Sequence, residues 1–156
     1  MALNQPIVLT PDGRDRMVDE LQRLRKVDLP ELQQRVRDLS EAGGISDDSD
    51  IEVTKDELIQ LENHIRDLEW MLDEAEIVEH ESGVETIEIG STVTTVDDEG
   101  ESDTWQIVGP HESDAAAGRI SNVSPVGAAL MGKRVGDKIS VDAPAGKIEY
   151  QIKDVQ

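Results

Sequence analysis

The sequence predicts an α+β chain: an N-terminal antiparallel coiled-coil hairpin over residues 1–80, with an acidic tip at 43–52, then a small β-rich domain over residues 81–156. Three observations carry this. Apolar residues step 3-4-3-4-3 through Leu58, Leu61, Ile65, Leu68, Leu72 and Ala75, which is a heptad seam. A glycine pair, Gly43–Gly44, interrupts a long helical pattern halfway along. From about residue 84 the apolar period changes to two.

The first helix opens at "LTPDGRDRM", where Thr10 can cap and Pro11 suits the first helical position. Apolar positions follow at Met17, Leu21 and Leu24, then at Leu29, Leu32, Val36 and Leu39, one stripe with a phase slip near Pro30. Proline removes a backbone donor and crowds the preceding turn, so a bend or break is expected there. Gly43 and Gly44 can end this helix, and Ser49 followed by Glu52 forms a capping box for the next. "DLSEA", residues 38–42, reads as the last turn of the first helix. Two helices of roughly 28–30 residues would each run about 45 Å at 1.5 Å per residue, so the hairpin is expected to project as a rod.

The second half alternates apolar with polar in "ETIEIGSTVTTV", "DTWQIVG", "GRISNVS", "KISVDAP" and "GKIEYQIKDV", separated by Gly, Pro and Asp turns. A short helix is expected at "PVGAALMG", residues 125–132, and "DDEGESD", residues 97–103, reads as an acidic hairpin loop. Ile, Val, Leu and Trp105 are the expected core.

Formal charge is −20, from 35 acids against 15 bases, and both halves are acidic. Stable direct binding to nucleic-acid phosphates needs clustered Lys and Arg, so a basic protein groove or a divalent cation is the more natural counterpart. A surface adapted to high salt accounts equally for the global charge. Without cysteine there are no disulfides, thiolate nucleophiles or Cys-based metal sites. No apolar run approaches membrane-spanning length and no signal-peptide pattern opens the chain, so a soluble cytoplasmic protein is expected.

The acidic turn supports two readings. Helix starts are commonly acidic, and a structural account absorbs the glycines and two or three of the acids. It does not require Asp47, Asp48 and Asp50 together at the end of a rod. The functional reading is metal binding: such carboxylates cannot complete a magnesium site alone, but they can lend one or two oxygens to an ion held mainly by a partner. His64, His80 and His111 are scattered without ligand spacing, and Ser124 sits in no nucleophile elbow. An autonomous active site is not expected.

From "LTPDGRDRMVDEL" to "SPVGAALMGKRVGDKISVDAPAGKIEYQIKDV" the chain resembles the bacterial Gre transcript-cleavage factors and their non-cleaving Gre-factor homologues. The last stretch is similar to the family's C-terminal signature: a Ser-Pro pair (Ser124, Pro125), a short helix ending in Gly132 and Lys133, a Gly136–Asp137 turn, and a Pro144-x-Gly146 hairpin. The resemblance implies a monomer that docks on RNA polymerase through an FKBP-like C-terminal domain. The docking residues it implies include Ser124, Pro125, Gly127, Gly132 and Lys133. It further implies that the coiled coil enters the polymerase secondary channel, carrying the tip acids Asp47, Asp48 and Asp50 to the active centre. There the Mg2+ would be shared with polymerase rather than bound alone, and the only nucleic acid met would be the RNA 3′ end within the elongation complex.

At the tip the chain departs from the cleaving pattern. Those members resemble "G-D-L-x-E-N-A-E-Y", and an ungapped alignment sets "GGISDDSDI" against it. Gly44 then takes the first acid's place, Asp47 the second's, and Asp50 matches the later glutamate, while Asp48 replaces the asparagine. A literal "DLSE" at Asp38–Glu41 lies six residues too early, leaving Glu41 as at most a secondary site. With the leading acid absent, the expectation is a regulator that inhibits or modulates polymerase. The alternatives are a cofactor of polymerase's own RNA hydrolysis and a purely structural coiled-coil adaptor.

Overall fold

The computed structural model describes residues 5–42 and 48–156. By packing, these fall into two compact units: the residues up to Gly13 together with Ala75–Gln156, and Arg14–Glu74.

The Arg14–Glu74 unit is helical. Its first helix, α1 (Pro11–Arg23), starts as expected from the sequence: Thr10 Oγ1 accepts the Gly13 N–H at 3.1 Å and Pro11 takes the first position. Leu24–Asp28 then forms a π turn that runs directly into α2 (Leu29–Glu41), the Leu29 N–H donating to the Leu24 carbonyl. Pro30 therefore does not break the helix. Arg23, Asp28 and Leu29 all keep helical dihedrals, and the wider turn absorbs both the missing proline donor and the five-residue step from Leu24 to Leu29. The phase slip in the apolar stripe is this π turn.

Asp38–Glu41 is the last turn of α2, closed by the Ala42 N–H on the Asp38 carbonyl at 3.0 Å. The second hairpin helix, α3, spans Asp48–Glu74. Ser49 and Glu52 both fall within α3, so Ser49 is a helical residue and not the residue before the helix that the expected box requires. The seam reaches further back than Leu58: Thr54, four residues before, is 2% exposed, and Ile51, three before that, is half-buried. Met17, Leu21, Leu24, Ile65 and Leu68 are buried, whereas Leu32, Val36, Leu39, Leu58 and Leu61 are only half-buried. Cross-helix pairs flank the seam: His64 with Glu20 at 3.1 Å, Arg25 with Glu69, and Arg35 with Glu57 at 4.0 Å.

The other unit is built on a five-stranded sheet. Its strands are β3 (Thr92–Asp97), β4 (Ser102–Val108), β5 (Arg119–Ser121), β6 (Lys138–Ala143) and β7 (Gly146–Val155), in the order β5-β4-β3-β7-β6. All pairs are antiparallel except β4 with β5. A bulge between Thr94 and Thr95 breaks the β3–β7 register. The short helix α4 (Pro125–Leu130) packs against both edge strands, β5 and β6, so the sheet curls around it. Ile87, Val93, Ile107, Ile120, Leu130, Ile139, Val141 and Ile152 form the core, with Trp105 at its margin donating to Thr95 Oγ1 at 3.1 Å. The hairpin loop is shorter than the expected 97–103: Asp97 ends β3 and Ser102 and Asp103 begin β4, leaving residues 98–101 as the turn, where Asp97 Oδ1 accepts the Glu99 and Glu101 N–H groups.

Two strands escape the sequence pattern. β1 (Val8–Leu9) and β2 (Glu76–Ile77) pair in parallel, and both belong to the sheet-bearing unit. The chain divides near residue 80 by periodicity; the packing divides instead at Gly13 and Glu74.

Candidate functional site

Asp48 and Asp50 both lie in the first turn of α3, and both are exposed. Acids there complement the positive helix end. At about 100° per residue, positions two apart are turned by about 200° around the helix axis. The two carboxylates thus leave α3 on opposite sides and do not converge on one ion. Asp50 stands on the seam side, where Thr54 Oγ1 donates to its carbonyl at 2.7 Å. Asp48, three residues before the seam residue Ile51, flanks the seam on its other side. Asp47, Gly43 and Gly44 lie outside the described residues. Glu41 is exposed at the end of α2. Among the described residues no three His, Asp or Glu side chains come close enough to hold a metal. An isolated carboxylate of this kind can lend an ion at most one or two oxygens, the remaining ligands coming from elsewhere.

The C-terminal signature residues divide by role. Ser124 caps α4: its Oγ accepts the Gly127 N–H at 3.1 Å and donates to the Ser121 carbonyl at 2.7 Å. Gly127 is buried against that same carbonyl, leaving no room for a Cβ. Gly132 adopts φ +75°, and the Gly132–Lys133 backbone exchanges two 2.9 Å hydrogen bonds with Ile87. Pro125 and Lys133 keep exposed side chains. Immediately after them, Arg134 and Val135 line a cavity of about 370 Å3 with Val84, Glu85 and Val155.

The histidines do not gather. His64 pairs with Glu20 and His80 Nδ1 sits 2.8 Å from Glu88, while His111 is exposed in a 3-10 turn.

A residue the sequence reading missed is Glu112, which is 7% exposed. Its carboxylate accepts the Thr10 N–H at 2.8 Å and the Thr10 hydroxyl at 2.6 Å. No local pattern signals a pairing across 102 residues of chain.

Both halves of this arrangement match one family. The profile for the transcription elongation factor N-terminal domain covers residues 7–77, and that for the GreA/GreB C-terminal domain covers residues 81–156. The chain belongs to the GreA/GreB family of transcription elongation factors. Curated Gre relatives align over nearly their whole lengths. The chain is 40% identical over 154 residues to transcription elongation factor GreA of Chloroflexus aggregans, covering 97% of this chain and 98% of that one. It is 36% identical over 154 residues to GreA of Rhodospirillum rubrum, with the same coverage. A crystal structure of GreA factor homolog 1 of Thermus thermophilus is 35% identical, covering 97% of this chain and 99% of that chain, with a TM-score of 0.46. No helix among the described residues is long and apolar enough to cross a membrane.

Proposed function

We propose that this Gre-family chain binds RNA polymerase through its sheet-bearing unit, read as FKBP-like, and presents the acids of its hairpin turn to the polymerase metal ions, modulating catalysis rather than cutting RNA. It has no chemistry of its own on this reading. Family membership supports polymerase as the partner. The exposed Pro125 and Lys133, the latter followed in sequence by the cavity-lining Arg134 and Val135, suit a docking surface with an apolar pocket.

The placement of the tip acids carries the choice of mechanism. Hydrolysis assisted at a two-metal centre needs carboxylates held to a second ion and its water within a fraction of an ångström. Here Gly44 stands where the cleaving pattern has an acid, and Asp48 and Asp50 diverge around α3. Such a tip can meet a bound Mg2+ through single oxygens and obstruct nucleotide entry more readily than it can organise a water. The names of the curated relatives favour the second reading, a cleavage cofactor acting through Asp47 with Asp48, Asp50 and Glu41 nearby in sequence.

Stalled, backtracked elongation complexes separate the two. On the modulator reading the protein slows elongation without shortening the 3′ RNA, and Asp48→Ala with Asp50→Ala relieves the slowing. Rapid cleavage that disappears in Asp47→Ala would overturn it. An unchanged effect in the triple alanine variant of Asp47, Asp48 and Asp50 would leave only a structural adaptor.

A further inference from the structure

Helix α1 begins against a buried carboxylate that comes from the far part of the chain. Thr10 is 3% exposed and Glu112 7%. The hydroxyl of Thr10 accepts the Gly13 N–H and donates to Glu112 Oε1, while the Thr10 N–H donates to Oε2. The helix cap is thus itself capped. Glu112 sits on the 3-10 turn Pro110–Glu112, which its own N–H closes onto the Gly109 carbonyl at 3.0 Å; Arg119 Nε donates to the Glu112 carbonyl at 3.4 Å.

Two glycines make the fit possible. A Cβ on Gly13 would overlap the Glu112 carboxylate, and one on Gly109 would overlap the Val8 carbonyl. A buried carboxylate is costly unless its oxygens are bonded. This one is offset by charge-assisted hydrogen bonds and by the positive end of α1. The arrangement stiffens one place: the first turn of the helix that continues into the hairpin.

We propose that Glu112 is a positioning residue, whose clamp on Thr10 and the first turn of α1 makes the hairpin root stiff enough for the tip acids to act on a docked polymerase. The consequence for polymerase rests on the function proposed above; the clamp itself does not. Thr10, Gly13 and Glu112 do not line the cavity of Val84, Val135 and Val155 named above for docking. Loss of the clamp therefore leaves binding intact and lowers what the bound factor does.

The test uses the full chain with Glu112→Gln, Glu112→Ala and Gly13→Ala. Hydrogen exchange is read at the α1 amides of residues 13–17 and at β3 and β7, together with the melting temperature. Glu112→Ala should speed exchange in the first turn of α1 tenfold or more and leave the β3 and β7 amides within about twofold. Glu112→Gln, which keeps one acceptor oxygen, should restore part of that protection. Uniform acceleration across α1, β3 and β7 would overturn the clamp. If Glu112→Ala does not fold, the comparison of Glu112→Gln with Gly13→Ala decides on the same criterion.

Polymerase readouts follow on the same variants. The dissociation constant for polymerase should stay within twofold, while the change in elongation rate at saturating factor falls fivefold or more. A weakened affinity with an unchanged saturating effect would overturn the positioning role. If the wild-type chain neither binds polymerase nor alters elongation, the functional reading fails while the exchange result still stands for or against the clamp.

Discussion

Gly127 shows how single atoms tie the signature region together. Its Cα lies against the Ser121 carbonyl, which also accepts the Ser124 hydroxyl and the Ser124 N–H. Gly127→Ala should cost about 2–4 kcal/mol in urea unfolding, because the obstacle is backbone and cannot rotate away. Ser124→Ala removes only the cap and should cost about 1 kcal/mol. Equal effects of the two changes would show that the close approach is not the constraint. At the tip, alanine at Asp48 and Asp50 should leave stability within about 0.5 kcal/mol, since both are exposed. A functional loss there would then be attributable to the carboxylates. The stretch "PVGAALMG" predicted a short helix that includes Gly127 and directly follows Ser124, but not which carbonyl the two residues share. That carbonyl is brought in by β5, whose register only the sheet sets.

The helical hairpin illustrates the same division among elements. Its seam was legible because the 3-4 spacing is a property of the sequence, and the structure extends it to Thr54 and Ile51. Pro30 invited the expectation of a bend or break, yet the π turn Leu24–Asp28 keeps the helix continuous. One extra residue in the turn balances one missing donor. Deleting Val27, which is exposed, would convert the Leu24–Leu29 step from five to four and return the stripe to a regular heptad. It would also leave Pro30 in an ordinary helical turn, so the melting temperature should fall, by an amount corresponding to about 3 kcal/mol, and Pro30→Ala in the same chain should restore it. Inserting an alanine after Val27 would instead turn the α2 stripe by about 100° away from α3. It should cost several kcal/mol and visibly broaden thermal unfolding.

At the scale of the molecule the dominant quantity is the charge of −20. Cross-helix pairs such as Arg25–Glu69 and Arg35–Glu57 use only a few of the acids, and their partners are about half exposed. Net self-repulsion therefore outweighs pairing, because exposed pairs contribute little. Raising KCl from about 0.05 to 1 M shortens the Debye length from roughly 14 Å to 3 Å. The melting temperature should rise by about 2–8 °C, as expected for about 1–2 kcal/mol in a chain of this length. A melting temperature that falls with salt would show that specific ion pairs matter more than the net field.

By itself the sequence determined the order of the elements, the heptad seam, the short helix after Ser124 and the family. These are written in local spacing and in residue types. Tertiary structure decided the rest: that β1 joins β2 across 68 residues of chain, and that Glu112 closes on Thr10. Each depends on groups distant in sequence. Periodicity carries no term for either, because hydrogen-bond partners are set only when the chain has packed.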